Sequence, residues 1–295
     1  MPHLPTTGAP VPDSGAVGAR GLPSSIICPV TAPEPDGTDR TRLLDDRDPP
    51  RVVPWRDALV VGAVALVARL VVGLAVARTP KGLHDPLLYL GFARSLADGR
   101  GYTGLLGHPT AYYPPGYPLF LGGLQRLADA VSLGDHLPAV AAVAQAGLGA
   151  VAAGATVVAG RRLAARGGVA RSRRVGLLAG LVVALWPGFV LYSGLLLSET
   201  LFVALFAVAV ACVVDLGDLR HPRPAPAVAG ALAFGLSALV RPQVLLALPF
   251  VAVAWALARA GWRRTVLGVL VAAAGAVVCL APWTVPHAVV MGPPA

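Results

Sequence analysis

Apolar runs long enough to cross a bilayer recur between residues 57 and 282, and the charge between them is mostly arginine. A helix that crosses the hydrocarbon needs about 20 mostly apolar residues, because it rises 1.5 Å per residue and must satisfy its own backbone polar groups. Seven candidate spans fit: 57–77, 138–160, 175–195, 200–216, 226–241, 243–258 and 265–282. The fifth and sixth are short and divided by Arg241-Pro242, so they read as two tilted helices or a re-entrant hairpin. With 56% hydrophobic and 13% charged residues, the chain has too little polar surface to cover a soluble globule. The expected fold class is an all-α membrane protein of about seven transmembrane helices.

Residues 1–54 are rich in Pro, Gly, Thr and Asp without apolar periodicity. Such a segment cannot bury enough surface to offset the entropy of ordering, and it is expected to be a disordered cytoplasmic tail. No charged region leads directly into an apolar core and a small-residue cleavage site at the start, so the run near residue 57 reads as a retained first span. The net charge of +9 comes from arginine clusters between apolar runs rather than along one face, which argues for topology and against nucleic-acid binding. Cys28, Cys212 and Cys279 are far apart and have neither metal-ligand nor disulfide-framework spacing.

The stretch Tyr117 to Gln125 decides the orientation. It offers about nine apolar residues before Arg126 and Asp129, too few to cross. With seven spans and a cytoplasmic N-terminus, the arginines at 161–174, at 220 and 223, and at 259–264 all fall inside. Counting Tyr117–Gln125 as a span would put all three clusters outside. Residues 117–131 are therefore expected to lie as a helix on the outer surface, within a long first loop covering about 78–137. Localisation in the plasma (inner) membrane as a multi-pass protein follows, with any site facing outward.

That outer face collects the residues able to carry chemistry. Asp85 follows His84 just beyond the first span and reads either as a helix N-cap or as a functional acid. Glu199, in Ser198-Glu199-Thr200 between two apolar runs, needs a partner or a watery cavity; a capping-box start is the other reading. Arg241, before a helix-stopping proline, can hold a phosphate by paired hydrogen bonds or snorkel to lipid headgroups. Arg69 falls in mid-span, where a functional role and a boundary error weigh about evenly. The Tyr112 to Pro118 segment is too proline-rich for regular helix and makes a stiff bend carrying three tyrosines. Walker-type glycine loops, HExxH and Gly-x-Ser-x-Gly are absent from the sequence, which removes ATP-driven and zinc-peptidase readings.

The order of these features resembles the bacterial GT-C glycosyltransferases, in particular the protein O-mannosyltransferase and aminoarabinose-transferase superfamily. The resemblance rests on His84-Asp85 with Tyr89 and Ala93, on Leu96-Ala97-Asp98-Gly99-Arg100-Gly101-Tyr102, and on Pro109-Thr110-Ala111-Tyr112-Tyr113-Pro114-Pro115-Gly116-Tyr117-Pro118-Leu119-Phe120. Ser198-Glu199-Thr200-Leu201-Phe202, Arg241-Pro242 and Ala281-Pro282-Trp283 follow in that family's order. It implies a transmembrane glycosyltransferase core over 55–285 that moves a sugar, with inversion, from a polyprenyl-phosphate donor to a glycan, lipid or protein acceptor outside the membrane. Asp85 would be the catalytic base and Glu199 a second acidic group, with Arg241 as phosphate clamp and Tyr89, His108 and Tyr113 contacting substrate. No cofactor is certain, and a divalent cation bridging Asp85 and Glu199 is compatible with their oxygen ligands. Two departures stand out: Pro286-His287 replaces the family's Arg-Asn, and 286–295 ends where relatives continue, so the chain is expected to be a fragment, a truncated gene product or one half of a split system. The competing class is a transporter, flippase or non-catalytic subunit of cell-envelope glycan assembly, which should place polar groups near the midplane.

Overall fold

The structure is a computed structural model that describes residues 55–79, 81, 84–104, 107–108, 110, 112–214, 224–257 and 262–291. The expected disordered tail lies outside these residues, as do 292–295. The described chain is helical. Three stretches are both long and apolar enough to cross a membrane: Trp55–Val76, Gly134–Arg166 and Thr265–Thr284.

Helix α1 (Trp55–Val76) turns a row of large apolar side chains outward, with Leu59 63% and Val71 68% exposed, as a lipid-facing helix does. Helices α2 (Asp85–Ala97) and α3 (Gly116–Ala130) pack against each other; α3 falls close to the expected surface helix at 117–131. Gly99, at a φ of +75°, ends α2: Arg100 N–H donates to Ser95 O and Gly99 N–H to Leu96 O, a Schellman closure that a left-handed glycine makes without strain. Helix α4 (Leu137–Arg166), thirty residues long, is the central element and touches α1, α3, α5 and α7.

Helices α5 (Ser172–Leu185) and α6 (Pro187–Tyr192) occupy the third expected span and are separated by a break at Trp186-Pro187. Proline has no N–H for the preceding turn, so carbonyls near the break need other donors. Arg69 supplies them: Nη1 donates to Ala184 O at 2.7 Å and Nη2 to Val183 O at 2.8 Å. Arg69 is 2% exposed within α1, and these contacts give it a structural part at the break. A β-carbon at Gly149 of α4 would overlap the guanidinium, which explains a glycine at that position.

Helix α7 (Glu199–Val213) and helix α8 (Pro224–Val240) are shorter apolar helices. A 3-10 turn (Pro242–Leu246), helix α9 (Ala247–Leu257) and helix α10 (Trp262–Met291) complete the described chain. Helices α8 and α10 approach so closely that a β-carbon on Gly235 would overlap Gly275 O and one on Gly275 would overlap Ala231 O. Small residues that bring helix backbones into contact are the usual means of association where the solvent is lipid.

Candidate functional site

Two helix starts and one helix end meet on the side of the fold where α2, α3 and the α6–α7 connection converge. Asp85 is the first residue of α2, after His84 in extended conformation and before Pro86. Its Oδ1 accepts a hydrogen bond from Tyr113 Oη at 2.7 Å, so the carboxylate serves a partner 28 residues away. Glu199 is likewise the first residue of α7, and its Oε1 stands 2.7 Å from Arg241 Nη2. Ser198 occupies the N-cap position of α7 without capping it; its Oγ accepts from Arg241 Nε at 3.0 Å. Arg241 therefore bridges 198–199 instead of snorkelling freely. It is set in place by the end of α8, where its backbone N–H donates to Ser237 O at 2.8 Å and its own φ of −144° turns the chain into Pro242.

Tyr89 lies between the two pairs. Burial holds its phenol above the ordinary value, a hydrogen-bonding contact with Ser198 pulls it back, and the charges of Asp85, Arg241 and Glu199 all reach it. Its ring packs edge-on to Tyr113 at 5.3 Å and to Tyr117 at 4.9 Å. Tyr102 stacks on Phe92 at 4.5 Å, meets Trp283 edge-on at 4.6 Å, and donates to Tyr113 O at 2.9 Å. Each aromatic pair contributes about 0.5–1.5 kcal/mol beyond its burial, so the cluster holds the proline-rich segment firmly. Burial first, then the hydrogen bond to Asp85 and its charge, push the Tyr113 phenol up to about 12. It is a neutral donor at any physiological pH.

Beneath this layer Gln145 of α4 is fully buried in an apolar helix with its amide satisfied at both ends. Its Oε1 accepts from Tyr117 Oη at 3.2 Å, and its Nε2 donates to Ser193 O at 3.1 Å and Leu195 O at 2.8 Å. Thus α3 and the segment leading to Glu199 are tied through one side chain. Gly116 allows the start of α3 to sit against Leu239 and Val240, directly before Arg241; a β-carbon there would come within 3 Å of that backbone.

Of the residues expected from sequence, Asp85, Tyr89, Tyr113, Glu199 and Arg241 are brought together, while His108 lies exposed in the 101–112 loop, where its carbonyl accepts from Gly104 N–H at 2.9 Å. Ser198 as a ligand of Arg241, and Gln145 and Tyr117 as the support below, were not anticipated. The available signal was a lone glutamine in the apolar run 137–160. Asp85 is engaged by Tyr113 and Glu199 by Arg241, and among the described residues no three His, Cys, Asp or Glu side chains form a group.

Chemically, the site presents one exposed carboxylate, one guanidinium partly neutralised by a second carboxylate, and an aromatic wall. Glu199 Oε2 is buried without a hydrogen-bond partner, a costly state for a carboxylate oxygen unless a ligand or water supplies a donor. Among the described residues the fold is helical, with three helices of membrane-crossing length, and the cluster forms an acid, tyrosine and arginine centre at the helix ends. No family model, curated protein or solved structure matches the chain.

Proposed function

We propose that the chain is a multi-pass membrane glycosyltransferase that moves a sugar from a polyprenyl-phosphate donor to a hydroxyl of a glycan, lipid or protein acceptor on the outer side of the plasma membrane. The observation that carries this reading is the gathering of the Asp85–Tyr113 and Glu199–Arg241 pairs around Tyr89. A lipid phosphate is a competent leaving group, so the chemistry asks for a base at the acceptor and a cation at the departing phosphate, and little else.

Asp85 takes the proton of the acceptor hydroxyl. The acceptor oxygen bonds to the anomeric carbon from the face opposite the phosphate, and the carbon–oxygen bond to the phosphate breaks with its electron pair on the phosphate. Arg241 receives that charge by turning part of its fork from Glu199 to the phosphate, and Glu199 keeps the guanidinium oriented between turnovers. Tyr113 holds Asp85 in place as a neutral donor, and Tyr89 with Tyr113 forms the wall against the sugar.

In this reading α1, α4, the broken pair α5–α6, α7, α8, the turn with α9, and α10 are the seven crossings, with α2 and α3 at the outer interface. Helices α7 and α8, at 15 and 17 residues, span about 22 and 25 Å, so these crossings rely on flanking segments or local thinning of the bilayer. The arrangement puts the three arginine clusters on one side, as the positive-inside rule favours.

The test is consumption of radiolabelled polyprenyl-phosphate sugars by vesicles carrying the full chain, compared with Asp85→Asn. Loss of sugar from the lipid in wild type and not in Asp85→Asn supports the reading. Movement of the intact lipid-linked sugar across the vesicle membrane, with no loss of sugar from the lipid, would assign the chain to flippases instead.

A further inference from the structure

Away from the Asp85 centre, a polar cavity of about 520 Å³ lies between the C-terminal parts of α2 and α3. From Asp85 to Arg94 α2 runs nine helical steps, about 14 Å at 1.5 Å each, so the two places are distinct. The cavity is lined by Arg94 of α2, by Gln125 and Asp129 of α3, and by Ser132, Gly134 and Asp135 beyond it. Its shape follows from how α3 stops. Leu133 N–H donates to Ala128 O at 2.7 Å and Ser132 N–H to Asp129 O at 3.1 Å, a Schellman closure with Ser132 in the left-handed position at a φ of +60°. The closure folds Gly134 back onto α3, so close that a β-carbon there would overlap the Asp129 carboxylate.

Gln125 is only 7% exposed. Its Nε2 donates to Asp129 Oδ1 at 2.8 Å and to Gly134 O at 3.2 Å. Those two acceptors fix the amide, since reversing it would set oxygen against oxygen. Oε1 is left on the other side, buried and without a partner among the described residues. That is a costly state unless a group seated in the cavity donates to it.

The Asp129 and Asp135 carboxylates and Gln125 Oε1 make three acceptors, the number that the three N–H groups of a primary ammonium can serve. Two carboxylates at the C-terminal end of α3 add to the negative end of its dipole and favour a positive charge there. Arg94 shares the cavity and sets the opposite demand. A bare cation would face its like charge, and a bare anion would face two carboxylates. A ligand with an ammonium a few bonds from a phosphate meets both conditions. Leu127, Val131 and Leu133, which flank the lining residues in sequence, are exposed apolar side chains, so acyl chains can rest outside while a headgroup enters.

We propose that this cavity binds the headgroup of phosphatidylethanolamine, with the ammonium on Asp129, Asp135 and Gln125 Oε1 and the phosphate on Arg94. The site is separate from the Asp85 centre and does not depend on the transferase reading.

The test uses the full chain in vesicles of equal phosphatidylethanolamine, phosphatidylcholine and phosphatidylglycerol with identical acyl chains, extracted gently and weighed by native mass spectrometry. Phosphatidylcholine carries the same charges as phosphatidylethanolamine but has no N–H to donate. Wild type should retain at least one phosphatidylethanolamine per chain, several-fold in preference to either competitor. Asp135→Asn, at an exposed position, should lower that preference, and Asp129→Asn with Asp135→Asn should bring it near one. Asp98→Asn, at the exposed end of α2 and outside the lining, should leave it unchanged. Equal retention of phosphatidylethanolamine and phosphatidylcholine by wild type overturns the proposal without any variant. So does retention led by phosphatidylglycerol, or a folded Asp135→Asn that keeps the full preference. Displacement of the bound lipid by millimolar O-phosphoethanolamine would overturn the lipid as the source and assign the cavity to a soluble zwitterion.

Discussion

Asp85 and Glu199 each begin a helix, where a carboxylate commonly turns onto the first free amides. Each is instead directed to a distant partner, Tyr113 and Arg241, at 2.7 Å. Asp85→Asn is nearly isosteric and can still accept from Tyr113, yet it lacks the basic oxygen. Sugar release from a polyprenyl-phosphate donor should fall about a hundredfold or more, the scale of a lost general base, with membrane yield and thermal stability in detergent nearly unchanged. A collapse of yield would return Asp85 to a structural role. Arg241→Lys keeps a charge but cannot serve Ser198, Glu199 and a phosphate together, so donor binding should weaken. In a double-mutant cycle on thermal stability, Glu199→Gln and Arg241→Gln should couple by about 0.5–3 kcal/mol, as contacting partners do; additive effects would deny the pair any stabilising part. Tyr89 and Tyr113 bind their protons more tightly in the folded chain than in the unfolded one. The stability linked to them is complete below about 10, the ordinary tyrosine value, and for Tyr113 is lost as pH rises through about 12. Thermal unfolding followed from pH 8 upward should therefore stay level to about 10 and then drop, less steeply in Tyr113→Phe.

At the scale of elements, the helices are held by buried polar ties and by glycine-mediated contact. Gln145 is the tie that can be cut most cleanly. Gln145→Leu keeps similar bulk but strands the Tyr117 hydroxyl and the carbonyls of Ser193 and Leu195, at about 1–3 kcal/mol per unpaired buried group. The variant should unfold at lower temperature than wild type and hold Glu199 less firmly. Gly235→Val should force α8 and α10 apart, costing about 1–3 kcal/mol or more because the obstacle is backbone. Gly123→Ala on α3, where a β-carbon meets nothing within 4 Å, should be neutral or stabilising by up to about 1 kcal/mol. Equal effects of the two glycine substitutions would contradict the close α8–α10 approach. Helix positions were legible from apolar periodicity because lipid and core both demand it: 57–77 and 138–160 correspond to α1 and α4, and 117–131 to α3. The break at Trp186-Pro187 was written in the sequence as a proline, but the arginine that makes it tolerable lies 114 residues away on another helix.

For the whole molecule, the proposed seven-crossing topology puts residues near 168, 221 and 262 on the cytoplasmic side and those near 105 and 196 outside. Reporter fusions at these five positions check it, and a cytoplasmic signal at 105 would remove the outward site. The sequence by itself determined the helical class and the candidate residues Asp85, Tyr113, Glu199 and Arg241, because apolar run length and proline-rich breaks are local properties of a chain. It left His108 on a par with Tyr113, and it left Arg69 between function and boundary error. Only the tertiary structure decided that Arg241 is bridged to Ser198 and Glu199, that Tyr89 sits between the two pairs, and that Arg69 serves a broken helix. Those partners are 43, 42 and 115 residues apart in the cases of Ser198–Arg241, Glu199–Arg241 and Arg69–Ala184. No local pattern encodes such distances: they follow from how small residues allow α4, α7 and α8 to approach, which is a property of the packed bundle.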